Sequence, residues 1–294
     1  KKRQRRFGRD EMPEPGRRNI MLKIENASKT FNPGTINEKV ALDHISLLLE
    51  DGDFATIVGS NGAGKSTLFN AIAGSFITDE GYIQLDGMDI TFLKEHRRSQ
   101  FIGRLFQDPL MGTAPHMTIE ENLSVAYLRA SGVRQSFWGR LAQDFSRINR
   151  KEKEFFREQL SLLNMGLEDR MESQVGLLSG GQRQALTLLM ATVVTPRLLL
   201  LDEHTAALDP ATADKVLKLT RDIIAERRIT CLMVTHNMHQ ALELGNRTLM
   251  MDGGRIVLDV KGEERSRMTV DSLLQKFAEG AGQKLDNDRI LLSR

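Results

Sequence analysis

In the stretch Gly59-Ser60-Asn61-Gly62-Ala63-Gly64-Lys65-Ser66, a glycine is followed by four residues and then by Gly-Lys-Ser. That spacing suits a loop that wraps a phosphate chain. Glycines let successive backbone N–H groups turn inward around phosphate oxygens with no Cβ in the way. A helix opening at the lysine adds partial positive charge beneath them. Lys65 supplies a full charge to the β and γ phosphates, Ser66 a hydroxyl for Mg²⁺, and Thr67 a second hydroxyl near the α phosphate. The loop alone specifies nucleotide phosphate, without choosing the base or the work done.

A second group of reactive residues stands far downstream. Leu198-Leu199-Leu200-Leu201-Asp202-Glu203 is an apolar run that delivers two adjacent carboxylates at its end. Ligands of open α/β sheets bind at the carboxyl edge of the strands. There Asp202 would hold Mg²⁺ through water, and Glu203 would orient and polarise an attacking water.

These groups need strands to carry them. Phe54–Val58 is a short apolar run that stops at glycine, as a buried strand does, and residues 65–73 read as the helix after it. Leu198–Asp202 and Thr230–Thr235 read as further buried strands, with a helix across 211–227 between them. Leu22–Asn26 alternates as a half-buried strand, and Ala41–Leu49 reads as another. Strands alternating with helices predict an α/β fold. From about 118 to 178 the pattern is helical: Phe137, Leu141, Phe145 and Ile148 share one helical face, and Lys151–Glu158 reads as a solvated, charged helix. Thr269–Gly280 places Val270, Leu273, Leu274 and Phe277 on one face and stops at glycine.

Composition narrows the class. With 40% hydrophobic and 27% charged residues, the chain has the balance of a soluble globular protein. No run approaches the ~20 apolar residues needed to cross a bilayer, and the basic start lacks the apolar core of a signal peptide. Service to a membrane would therefore run through partners, from the cytoplasmic side. The lone Cys231 lies in an apolar run and reads as a reduced core residue. Net charge is +2, yet residues 1–20 hold eight Lys/Arg against three Asp/Glu. This arm could touch anionic lipid or nucleic acid; the preferred reading is a disordered leader before a domain opening near Met21. No spacing suggests a protein-bound transition metal. Aromatic content of 5% offers few platforms for stacking single-stranded nucleic acid, and no nucleic-acid partner is expected.

Leu178-Ser179-Gly180-Gly181-Gln182-Arg183-Gln184 can present backbone N–H groups and a hydroxyl at a helix N-terminus, a second phosphate cradle. Standing shortly before the Asp202-Glu203 strand end, this run resembles the signature of the ABC transporter ATPases. The resemblance covers roughly residues 21–260. It implies a P-loop NTPase core with an antiparallel β subdomain and an α-helical subdomain, about 110–180, inserted between the Gln107 loop and the signature. A leader over 1–20 and a C-terminal helical extension over 261–294 would flank it. ATP and Mg²⁺ are the implied ligands. Gln107, in Leu105-Phe106-Gln107-Asp108-Pro109, resembles the loop glutamine that senses Mg²⁺ and faces the membrane subunit. Ala207-Leu208-Asp209 resembles the loop linking two cassettes, His236 the switch histidine at the γ phosphate, and Phe31 the aromatic that stacks on adenine. Catalysis would then fall to Glu203, His236 and Gln107. The resemblance further implies head-to-tail dimers, in which Ser179, Gly180, Gly181 and Gln182 of one copy close over ATP held by the other.

Two positions depart from the family pattern. After Gln184 the chain runs Ala-Leu-Thr in place of the more frequent arginine-containing continuation, and His204 occupies the usual proline position. Neither removes a phosphate ligand; His204 either modulates Glu203 by charge or is tolerated structurally, and the second is preferred. The short interval between Gln107 and Ser179 holds no long heptad run and no cysteine ligands, unlike the soluble DNA-repair types. A single cassette also differs from the translation-factor types. A transporter subunit peripheral to the plasma membrane is expected, with integral-membrane permease partners. The insertion after Phe31 and the run Asp202–Pro210 resemble bacterial tryptophan/tyrosine-type uptake systems, which add an extracytoplasmic substrate-binding protein. Import of an amino acid or similar small solute is the expectation; an exporter cassette and a non-transport ATPase acting on a soluble partner are the alternatives.

Overall fold

A computed structural model of the chain describes residues 19–130 and 148–280. The basic leader through residue 18 and the Phe137–Phe145 periodicity lie outside the described residues.

Two sheets sandwich one helix. Strands β1 (Ile20–Phe31), β2 (Lys39–Glu50), β4 (Glu80–Leu85) and β5 (Met88–Asp89) form an antiparallel sheet in the order β2-β1-β4-β5. The other sheet runs β10-β9-β3-β8-β7-β6, built from β3 (Phe54–Gly59), β6 (Ile102–Leu105), β7 (Leu198–Asp202), β8 (Thr230–Val234), β9 (Arg247–Asp252) and β10 (Arg255–Lys261). Its members β9, β3, β8, β7 and β6 are mutually parallel, with β10 antiparallel at the edge. Helix α1 (Lys65–Ala73) follows β3 with the expected limits. It lies between the sheets, burying Leu68, Phe69 and Ile72 against Ile24, Leu42 and Ile45 on one side and Ile57, Leu200 and Leu232 on the other.

Strand alternation explains why both faces of the parallel sheet are covered. Leu198 and Leu200 face α1, while Leu199 and Leu201 join Cys231, Ile223 and Ile224 in a second core. Cys231 is fully buried, as its apolar setting predicts, and burial pushes its thiol well up. Ile223 and Ile224 belong to α6 (Pro210–Arg227).

After the short α2 (Glu95–Arg98) and β6 come α3 (Ile119–Ala130), α4 (Arg150–Ser161) and α5 (Gly180–Thr192). These three helices gather a separate core around Leu123, Phe156, Leu160, Leu186 and Leu189, with Ile148 packed against it. Lys151–Glu158 is solvated on one face only, because Phe156 points inward with no exposed surface. The last helices among the described residues are α7 (Met238–Glu243), α8 (Gly262–Ser266) and α9 (Val270–Gly280), and Leu273 and Phe277 of α9 pack with Val58 and Met250.

Candidate active site

Neighbouring parallel strands β3, β8 and β7 end at one edge, and their successors meet there. Glu203 N–H donates to Val234 O (3.1 Å), and Thr235 N–H donates to Ile57 O (3.1 Å). These bonds continue the ladder just beyond the strands and hold the turns after β7 and β8 beside the loop after β3. Glu203 takes a left-handed backbone, φ 45°, a conformation that costs a non-glycine residue energy and concentrates at functional sites. The turn aims its carboxylate at His236: Glu203 Oε1 and His236 Nε2 lie 2.5 Å apart.

The loop from Gly59 to Ser66 buries Gly59 and Ala63 to Lys65 while Asn61, Gly62 and Ser66 stay exposed. Gly64 caps α1 with φ 101°, and a Cβ there would stand 2.6 Å from Ala41 O; only glycine fits. Ser60 Oγ donates to Asp252 Oδ1 (3.3 Å). Lys65 is buried and donates from Nζ to Gly59 O (2.8 Å) and Ser60 O (3.0 Å). Its ammonium is held inside the loop by these two limb carbonyls. Burial lowers its pKa, against the opposing pull of Glu203 and Asp202. Burial likewise raises the Asp202 pKa, countered by Arg104, Lys65 and His236.

Arg104 is a member of this site that sequence reasoning missed. It leaves β6 one strand away from Asp202, donates from Nη2 to Asn70 Oδ1 (2.7 Å) on α1, and lies 4.6 Å over the Phe106 ring. The available signal was a lone cation inside Ile102-Gly-Arg-Leu105, where an apolar residue is the default. Gln107 follows β6 at the same edge and is exposed, as is Ser66. The hydroxyl of Ser66, the carboxylate of Asp202 and the amide oxygen of Gln107 are hard oxygen donors, the set that suits Mg²⁺.

The other sequence-selected residues fall elsewhere. Ser179 caps α5, its Oγ accepting from Gln182 N–H (3.2 Å) while Gln182 Oε1 accepts from Ser179 N–H (3.2 Å). This reciprocal box leaves Ser179 and Gly180 exposed. Gly181 is pressed on α6, where a Cβ would meet Thr212 Cγ2 at 2.2 Å. Ser179, Gly181 and Gln182 line a separate cleft of about 760 Å³ with Thr212 and Lys215, and none of residues 59–67 borders it. Asp209 caps α6 by accepting from Thr212 N–H (3.1 Å). Phe31 ends β1 with its ring edge-on to Phe76, centroids 5.5 Å apart, and the Lys29 ammonium 5.8 Å from its centre.

His204 supplies no charge to Glu203. Its ring is buried, its Nε2 lies 3.1 Å from Thr220 Oγ1, and burial pushes its pKa down to about 4. The unfolded chain takes up a proton near pH 6.5, which the folded chain refuses until about pH 4, so stability falls as pH drops through that window. The full loss is about 3 kcal/mol, since each pKa unit is worth about 1.36 kcal/mol. His204→Gln keeps a partner for Thr220 and cannot titrate, so its urea midpoint should fall much less than the wild type's between pH 7 and pH 4.5. Equal acid sensitivity of the two proteins would remove His204 from the account.

The family model described as "ABC transporter" matches residues 42–206. A tyrosine transport ATP-binding protein of Clostridioides difficile (strain R20291) is 44% identical over 262 residues, covering 87% of this chain and 98% of that protein. Methionine import ATP-binding protein MetN 2 of Listeria innocua is 31% identical over 289 residues, covering 90% of this chain and 79% of the relative. Among solved structures, an ATP-binding cassette of an ABC transporter in its ADP conformation superposes with TM-score 0.70 at 27% identity, covering 90% of this chain and 99% of that one. A dimeric cassette in a post-hydrolysis state with bound ADP and Pi gives TM-score 0.68 at 26% identity, covering 82% and 98%.

Proposed function

Because the chain belongs to the ABC transporter ATPase family, an ATP-hydrolysing one, we propose that it powers uptake of an amino acid or similar small solute through a separate permease. The observation that carries the hydrolytic chemistry is the Glu203–His236 pair at 2.5 Å beside the loop that encloses Lys65. Uptake is supported by the 44% identity with a tyrosine transport ATP-binding protein and by the methionine import relatives.

Residues 59–67 hold the triphosphate, and Phe31 offers its exposed ring to the base. Lys65 exchanges the Gly59 and Ser60 carbonyls for phosphate oxygens, which are stronger acceptors for an ammonium. Ser66 and Asp202, with Gln107, would hold Mg²⁺, which supplies charge neutralisation at the phosphate oxygens. Glu203 accepts the proton of the attacking water, and His236 fixes that carboxylate while reaching toward the γ phosphate. Ser179, Gly181 and Gln182 border a different cleft from this loop and Gly180 stands exposed beside them, which supports a role for Ser179, Gly180, Gly181 and Gln182 at the nucleotide of a second copy in a head-to-tail dimer. ATP stabilises the closed dimer, and hydrolysis releases it, a ligand-driven population shift. The Gln107 loop passes the motion to the permease, which holds this subunit at the cytoplasmic membrane face; a substrate-binding protein outside would deliver the solute. Residues 21–260 form the cassette, with its helical insert at about 110–180 and an extension from 261.

The test is isolation of tagged Glu203→Gln protein with ATP from membranes in mild detergent. Mass spectrometry should identify a polytopic membrane protein in stoichiometric amount. Recovery of soluble proteins alone would overturn the transport reading and leave the hydrolysis standing.

A further inference from the structure

We propose that Lys39 is a further nucleotide-binding residue of this cassette, an ammonium that meets the phosphate chain at the Gly62 crown of the loop while Lys65 meets it from within. The inference rests on the nucleotide reading above.

Lys39 opens β2, in register directly opposite Phe31, the last residue of β1. Opposed residues of an antiparallel pair project to the same face of the sheet, so Lys39 shares its face with the ring that Phe31 offers to the base. Its Nζ lies 3.7 Å from the position a Cβ on Gly62 would take, over the crown of the phosphate loop. Lys65, by contrast, is held inside the loop by the carbonyls of one limb, Gly59 and Ser60. The two ammonium groups therefore stand at different parts of the loop, Lys39 at Gly62 and Lys65 at Gly59 and Ser60.

The strand carrying Lys39 is pinned to that loop. Ala41 O stands 2.6 Å from a would-be Cβ on Gly64. Asp43 N–H donates to Gly254 O (2.9 Å), and Gly254 N–H donates to Ala63 O (3.0 Å). The Asp43 carboxylate pairs with Arg255 at 2.6 Å, closing the same turn onto β2. Lys39 thus stands two to four residues from three contacts that fix its backbone against the loop. Its side chain is exposed and enters no ion pair among the described residues. An exposed lysine contributes little to stability, whereas a polyphosphate seated in the loop brings several charges within its reach. No phosphate motif includes this position, since it lies a whole strand upstream of the loop.

The experiment measures binding of a fluorescent N-methylanthraniloyl ATP analogue to dilute, full-length protein. At low salt, Lys39→Met should weaken binding about tenfold, the size of one charge-assisted contact. Lys39→Arg should restore affinity to within about threefold, and the deficit of the Met variant should shrink at about 0.5 M salt, where the Debye length is only a few ångström. In steady-state hydrolysis the effect should fall on KM rather than kcat. Equal affinity of Lys39→Met and wild type at low salt would overturn the assignment of Lys39 alone. So would a loss confined to thermal stability without nucleotide. Failure of the wild type to bind the analogue would overturn the nucleotide reading and this inference with it.

Discussion

Glutamine at position 203 should slow ATP turnover about 10³-fold while ATP affinity stays within a few-fold of wild type, because a positioned general base is worth roughly 10²–10⁴ in rate. The two side chains have nearly the same shape, and the amide can still meet His236 Nε2, which the carboxylate approaches to 2.5 Å. What disappears is the capacity to accept a proton from water. The backbone supports this role: Glu203 sits at φ 45° with its N–H bonded to Val234 O, and such strain costs about 1–3 kcal/mol and persists only where surrounding structure imposes it. The Glu203 and Asp202 carboxylates both act on the Lys65 ammonium, opposing the burial that lowers its pKa. Phosphate release under saturating ATP measures the rate, and equilibrium binding of labelled ATP measures the affinity. A variant that turned over within threefold of wild type would shift the base to another residue.

The largest expected loss of stability is at Arg98, far from the chemistry. Its side chain is 1% exposed and donates four bonds, each 2.8 Å, to carbonyls: Nε to Leu93 O, Nη1 to Ala71 O and Ile72 O, and Nη2 to Thr91 O. Ala71 and Ile72 lie in the last turn of α1, where helix carbonyls lack partners and a cation is favoured. Burial lowers the guanidinium pKa to about 10, which leaves it charged at neutral pH. Arg98→Met fills similar space with no donor, leaving several buried carbonyls unpaired at about 1–3 kcal/mol each. A total near 4 kcal/mol is expected, a large share of the roughly 5–15 kcal/mol that holds a domain folded. The apparent melting midpoint should drop by roughly 10 °C, given about 2–4 °C per kcal/mol for a chain of this size class. A midpoint within 2 °C of wild type, measured by circular dichroism, would show that water or rearrangement satisfies those carbonyls. Arg98 also ties the far end of α1 to the segment after β5, so the helix that begins under the phosphates is anchored at both ends.

The parts of this fold legible in the sequence are those where a strand is buried on both faces and ends in a reactive loop. β3, β7 and β8 stand out as short apolar runs, and α1 fills its expected span because a glycine loop and a closing Gly74 bound it. β6 was hidden by its length of four residues, a glycine and Arg104. β9 opens with Arg247, whose charge is absorbed by bonds to Asp259 and Leu48 O that no local pattern announces. β1 and β2 run several residues further than their alternation suggests, because the bulges at Asn26 and His44, both at positive φ, interrupt the period without ending the pairing. Arg98 was hidden by neighbours: Lys94-Glu-His-Arg-Arg-Ser-Gln100 reads as solvated surface, and only tertiary packing buries one of its cations.

The site divides along the same line. Lys65, Asp202, Glu203 and His236 converge because their strands are adjacent and parallel, which spacing and strand ends make readable. Arg104 on β6 and Lys39 on β2 arrive from other elements, and their contributions depend on register and packing. His204 illustrates the converse: a titratable residue beside the catalytic carboxylate in sequence turns inward to Thr220 and takes no part in the charge balance.

The most direct test of the central claim is a single-turnover acid quench in which γ-labelled ATP, bound in excess protein with Mg²⁺, is chased and the cleaved fraction is followed with time. The expected result is cleavage by wild-type protein and bound but intact ATP in the Glu203→Gln sample. Cleavage of bound ATP at the same rate in both would contradict the assignment of Glu203 as the group that activates water.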